Sequence, residues 1–120
     1  MKFSVSMKKN HEFRRLYSKG KSVATPVLVV YFRRVNRPFN QLGITVSTKV
    51  GNAVCRNRIR RRLREIYRLN EQRLQVGLDI VVVARVKSKF VGYAQLEKAF
   101  LSACSRLEIL ADPSKSGEKS

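Results

Sequence analysis

The sequence predicts a single-domain α+β protein, an α/β sandwich with elements in the order α-β-β-β-α-β-α around one central sheet. Three observations predict it. Apolar residues recur at helical spacing in three segments, and β-branched runs occupy the segments between them. The length of 120 residues suits one domain, and an apolar content of 43% is enough to close a modest core. No internal repeat or inter-domain linker is visible, so residues 1–111 are read as one domain. Residues 112–120 are read as a polar tail with nothing to bury.

The first helix is expected from Asn10 to Gly20. Asn10 is a competent N-cap, Glu12 stands in the first turn where the helix dipole favours a negative charge, and Phe13, Leu16 and Tyr17 share one face. Gly20 is expected to stop the helix in a left-handed conformation. Residues 23–34 form a β-branched and aromatic run whose segment 27–32 is apolar on both faces, as in a strand covered on both sides. Pro26 removes a donor, so the strand should start or bend there. Residues 37–41 read as a turn, and residues 42–47 as a second strand paired with the first in a hairpin.

The longest helix is expected from an Asn52 cap to about Gln75, stopping before Gly77. Residues 78–86 read as a buried strand. A final helix follows Gly92, with Leu96, Phe100, Ala103, Cys104 and Leu107 at helical period. Cys55 and Cys104 form no C-x-x-C pair, so both are expected as buried free thiols and not as a disulfide or zinc site.

Charge is the feature that composition cannot leave aside. Twenty-six Lys and Arg against eight Asp and Glu leave a formal charge of +18, a field that recruits polyanions. Six arginines fall in the nine positions from Arg56 to Arg64. On a helical wheel Cys55, Ile59, Leu63 and Ile66 form one stripe, with Tyr67 and Leu69 at its margins. Asn57, Arg60, Arg61, Arg64 and Arg68 fall on the opposite side, Arg58 and Arg62 flank the stripe, and Glu65 can reach Arg61 or Arg62. A solvated charged face normally mixes signs. Here Glu65 alone offsets the cluster, and like charges at i, i+4 repel, so the helix makes sense against an anionic surface. Arginine's planar fork suits phosphate.

The same composition excludes other classes. No apolar run is long enough to span a bilayer, and the N-terminus has no apolar signal region, so no membrane partner is expected and the cytoplasm is the expected compartment. The eight acids are scattered without a pair suited to metal-dependent hydrolysis, and His11, the one histidine, has no nucleophile beside it in sequence. The polypeptide reads as a binder with no catalytic or metal-ligating side chain. Phe13, Tyr17 and Tyr31, each near basic residues, could stack on single-stranded bases or pack in the core; residue types leave both open.

Residues 49–65, KVGNAVCRNRIRRRLRE, closely resemble the signature of the bacterial ribonuclease P protein component, usually K-[VI]-G-N-A-V-x-R-N-R-x-[KR]-R-x-x-R-E. The segments around Asn10–Phe13, Gly43–Ser47 and Asp79–Arg85 resemble that family as well, so the likeness runs from about 8 to 108. The resemblance implies a sheet with a left-handed β-α-β crossover. It also implies an accessory role in an endonuclease whose RNA subunit, using Mg²⁺, hydrolyses precursor tRNA to give the mature 5′ end; the protein itself would bind no cofactor. Carried onto this chain, it places Arg56, Asn57, Arg58, Arg60, Arg61, Arg64 and Arg68 against the RNA subunit. It places Phe13, Tyr17, Lys19, Ser22 and Tyr31 against the precursor's 5′ leader. The expected partners are those two RNAs, with no protein partner implied. Two other classes fit parts of the sequence: a ribosomal-type protein that neutralises RNA, and a stand-alone nuclease, which the scattered acids disfavour.

Overall fold

A computed structural model describes residues 4–111; the polar tail at 112–120 and residues 1–3 lie outside the described residues. The strands are β1 (Ser4–Ser6), β2 (Lys21–Ala24), β3 (Leu28–Arg34), β4 (Asn40–Val46) and β5 (Leu78–Ala84). The helices are α1 (Asn10–Lys19), α2 (Ala53–Asn70) and α3 (Tyr93–Arg106), with single 3-10 segments at Glu71–Arg73 and Val86–Phe90. The expected α-β-β-β-α-β-α order is present, preceded by β1, which is too short to show a pattern in sequence.

The sheet runs β1-β4-β5-β3-β2. This corrects the expected hairpin: β3 and β4 do not pair, because β5 lies between them, antiparallel to β3 and parallel to β4. The physical reason is burial. β5 is buried on both faces and belongs at the centre, where α1 covers one face and α2 and α3 the other. The chain between the parallel neighbours β4 and β5 is the crossover, and α2 is its helix.

The run at 23–34 is two strands. At its centre Thr25 accepts from the Leu28 amide (3.0 Å) and donates to the Leu28 carbonyl (2.9 Å), folding a tight turn around Pro26 that joins β2 to β3. Two caps also differ from expectation. Lys9, not Asn10, precedes α1, its carbonyl receiving the Glu12 amide, and no side chain caps the helix. Gly20 is extended (φ −78°), so its conformation is open to any residue. Its lack of a side chain matters because a Cβ would lie 2.6 Å from the Leu16 carbonyl oxygen and 2.8 Å from that of Phe32. Asn52 caps α2 as expected, accepting from the Cys55 amide at 2.9 Å. The helix ends at Asn70 and not near Gln75, and the strand expected to reach Val86 ends at Ala84. Gly77, at φ +88°, is the residue that needs glycine for its backbone.

The main core lies under α2 and α3. Leu28, Val30 and Phe32 of β3 and Leu78, Ile80 and Val82 of β5 meet Ile59, Leu63 and Ile66 of α2 and Leu96, Phe100 and Ala103 of α3. Tyr67, expected at the margin, is fully buried; its hydroxyl bonds Ser4 Oγ (2.6 Å) and receives Asn40 Nδ2 (3.4 Å). Asn40 completes the link by accepting the Leu78 amide (2.9 Å) and donating to the Gln75 carbonyl (3.0 Å). Leu69, the other marginal residue, is 56% exposed. Of the two thiols only Cys104 is buried; Cys55 is half-buried at the start of α2.

Two predictions follow from this packing. Ile59→Ala or Leu63→Ala should destabilise the free protein by about 2–5 kcal/mol, the usual cost of truncating a buried aliphatic, seen as a lowered thermal midpoint. Burial pushes the Cys104 thiol up to about 12, so the folded state holds that proton more tightly than the unfolded chain does. Its contribution is intact below the ordinary thiol range and is lost as pH rises toward that value. In mildly alkaline buffer an alkylating reagent should therefore modify Cys55 and spare Cys104 until denaturant is added, with mass spectrometry of each peptide as the readout.

Candidate nucleic-acid interface

Two surfaces emerge, one on each side of the sheet. The first is the outer face of α2. Burial of Ile59, Leu63, Ile66 and Tyr67 fixes the helix about its axis, leaving Asn57, Arg58, Arg61, Arg64 and Arg68 exposed. Arg56, Arg60 and Arg62 are half-buried, and Arg60 leans back to donate to Asn57 Oδ1 (3.0 Å) and toward the Val46 carbonyl (3.5 Å). The structure thus narrows the predicted face: Arg60 is expected on the outward side, but it is half-buried and its guanidinium reaches back to the end of β4. Glu65 does not pair with Arg61 or Arg62. It takes Arg68 in a bidentate pair (3.0 and 2.5 Å), one helical turn on, which lowers the pKa of the carboxyl. That pair is exposed, so it contributes little to stability, but it engages Arg68 and Glu65 together and leaves Arg58, Arg61 and Arg64 without an ion-pair partner among the described residues. Arg58, Arg61, Arg62 and Glu65 also line a groove bordered by Tyr93 at the start of α3.

The second surface is a cleft where α1 crosses the opposite sheet face. Cross-strand register aligns Ser22, Tyr31, Val81 and Gly43 in one row, and Ala24, Val29, Val83 and Thr45 in the next. Phe13 of α1 lies over the first row because Gly43 has no side chain. A Cβ there would sit 2.6 Å from Phe13 Cε1, inside any real contact. Phe13 and Tyr31 also border a small cluster of Met7, Leu16 and Val81, so both are half-buried and present only part of each ring. Tyr17 is 41% exposed, meets Tyr31 edge to face at a centroid distance of 5.0 Å, and exchanges a hydrogen bond with Thr45 at 3.1 Å. Asn10, Phe13, Arg14, Tyr17 and Thr45 line an open hollow of about 560 Å³.

The structure therefore joins Phe13, Tyr17, Tyr31 and Ser22, the last directly across the strands from Tyr31. Lys19 is an exposed cation in the last turn of α1. The choice between platform and core resolves residue by residue: Tyr17 is mainly surface, while Phe13 and Tyr31 serve both. Sequence reading missed Thr45 and Val83, which join Val29 in the half-buried second row. Alternation with Tyr31 marks Val29 on the strand itself, but Thr45 and Val83 needed the register of β5 between β3 and β4.

At the other end of the cleft, Asp79 is buried and its pKa is raised by burial, against the pull of its ion pair with Arg37. Gln41 sits between Glu12 and Arg37, donating to the former (2.7 Å) and accepting from the latter (2.9 Å). These acids are tied to neighbours. Among the described residues no three His, Cys, Asp or Glu side chains gather as a set able to hold a metal ion.

The chain matches the family model described as Ribonuclease P over residues 1–108. Relatives called ribonuclease P protein component include that of Alkaliphilus metalliredigens, 39% identical over 92% of this chain and the whole of that protein. That of Lachnoclostridium phytofermentans is 43% identical over 90% of this chain and 93% of the relative. Among solved structures, the Staphylococcus aureus RNase P protein superposes with a TM-score of 0.79 at 35% identity, covering 88% of this chain and 97% of that one. The Thermotoga maritima protein gives 0.75 at 32% identity, covering 81% and 92%.

The cleft geometry makes Gly43 a sensitive position. Gly43→Ala should lift Phe13 off the sheet and loosen α1, lowering stability by about 1–3 kcal/mol, the range for overpacking a filled site. Thermal melting together with the chemical shifts of the Phe13 ring checks both effects; an unmoved ring and an unchanged midpoint would contradict the packing described.

Proposed function

The chain belongs to the ribonuclease P protein family, and on that premise we propose that it acts as the protein subunit of the tRNA-processing ribonucleoprotein by holding two RNAs at once. The catalytic RNA subunit lies along α2, contacted by Arg56, Asn57, Arg58, Arg60, Arg61, Arg64 and Arg68. The 5′ leader of precursor tRNA lies in the α1 cleft against Phe13, Tyr17, Lys19, Ser22 and Tyr31. The observation that carries this reading is the placement of the two surfaces on opposite faces of one sheet, so occupancy of one leaves the other open.

The division of chemistry follows from what each surface offers. Guanidinium groups on a fixed helix grip phosphates through paired, charge-assisted hydrogen bonds, and their binding is coupled to counterion release. Of the exposed arginines, Arg58, Arg61 and Arg64 are free to do so without first breaking an ion pair. The cleft offers ring edges and hydroxyls, which stack on any base and suit substrates whose leaders differ in sequence. Its acids, Glu12 and Asp79, meet Gln41 and Arg37. The proposal leaves hydrolysis to the RNA subunit with its Mg²⁺, while the protein binds and orients.

Cleavage of precursor tRNA by protein alone, by RNA alone at high Mg²⁺, and by both at low Mg²⁺ tests the assignment. Activity is expected in the second and third reactions, and cleavage by the protein alone would overturn it. Arg61→Ala or Arg64→Ala should weaken RNA-subunit binding by about 1–3 kcal/mol and flatten its salt dependence. Arg68→Ala should cost less, since Arg68 must give up its pair with Glu65 to grip a phosphate. Tyr17→Ala should reduce the preference for precursor over mature tRNA by about fivefold or more with little change in melting. Tyr31→Ala would also trim the cluster under α1, so Tyr17 is the cleaner probe.

A further inference from the structure

A third surface lies where β2 turns into β3. Pro26, Val27, Phe90, Val91 and Ala99 line an open groove of about 760 Å³ between that turn and α3, with Lys87, Lys98 and Arg106 at its rim. A second hollow, bordered by Arg85 and Val86, shares Ala24, Thr25, Pro26 and Lys87 with it, so the two are continuous around the end of the sheet. Every charged residue lining either one is a cation. Phe90 is 75% exposed and Lys89 stands over its ring at 5.1 Å from the centroid. The walls are held in place: Arg85 donates through its guanidinium to the Thr25 carbonyl and through its amide to the Val27 carbonyl, both at 2.9 Å.

The groove begins where the cleft ends. Ala24 closes the cleft's second row, after Thr45, Val83 and Val29, and the same Ala24 lines both hollows. A strand leaving Tyr17 and Tyr31 along that half-buried row therefore arrives at Pro26 and Lys87 without crossing a helix.

We propose that this groove receives the upstream part of a long 5′ leader, its phosphates running past Lys87, Lys98 and Arg106 and one base stacking on Phe90. An exposed aromatic set among cations with no acid in the lining is the combination that a single strand recognises, since bases need a ring and the backbone needs positive charge. A second copy of this chain is a poor occupant, because each copy carries +18. The inference rests on the cleft reading given above.

The test uses the complete holoenzyme and precursor tRNAs with a leader of about four nucleotides, a leader of about twelve, and none, lengths that fall short of and extend beyond one binding face. Phe90→Ala and Lys87→Ala remove exposed side chains and should leave melting unchanged. Both are expected to weaken binding of the long-leader precursor by about fivefold or more while leaving the short-leader and leaderless forms as they were. Equal weakening of all three would assign the groove to the RNA subunit and overturn the proposal. Unchanged binding of all three would overturn it too, leaving a protein partner as the occupant to seek. Tyr17→Ala in the same assay reports on the cleft: if it leaves the short-leader preference intact while Phe90→Ala still lowers the long-leader affinity, the cleft reading fails and the groove stands.

Discussion

The structure depends on the seating of α2 in the crossover between β4 and β5. Four side chains, Ile59, Leu63, Ile66 and Tyr67, are buried on the sheet, each worth about 1.5–3 kcal/mol relative to exposure. Repulsion among arginines at i, i+4 opposes them by only a few tenths of a kcal/mol per pair. Burial wins by a wide margin, so the sheet can hold a helix that charge alone would weaken. The buried Ser4–Tyr67–Asn40 contacts then tie the far end of that helix to β1 and to the start of β5. With rotation fixed at both ends, the side of the helix from which each arginine departs is fixed as well.

Much of this was legible in the residues. The two faces of α2 follow from the spacing of Ile59, Leu63 and Ile66, and the Asn52 cap follows from its side chain. What periodicity could not supply was pairing. Residues 28–34 and 40–46 are near in sequence and each reads as a strand, so a hairpin was the natural expectation. Only the two-sided burial of β5 explains why it separates them. The same gap hid half of the cleft floor, because Thr45 and Val83 join Val29 through register and not through any local pattern. Glu65 shows another limit: three arginines lay within reach along the helix, and rotamer geometry selected Arg68.

The two faces of the sheet are also held unequally. Beneath α2 and α3 lies a large continuous core, whereas α1 rests on a small cluster around Met7, Leu16 and Val81. Local opening follows the weaker packing, so α1 is the layer whose separation from the sheet costs least. The cleft beside that helix can change shape while the backbone of α2 stays seated on the larger core. Under the proposed function, this difference in core size would separate specific docking of one RNA from tolerant handling of the other.

The insertion of β5 also bears on how the chain is made. During synthesis β2, β3 and β4 emerge first, and β3 and β4 have no hydrogen bonds to offer each other in the final register. The central strand completes only at Ala84, after the whole arginine helix has left the ribosome. Until then the nascent chain exposes two apolar strand edges beside a dense positive charge, in the company of ribosomal RNA. Assembly of the sheet is therefore a late event governed by contacts distant in sequence, and the growing chain depends on its last third to conceal its first.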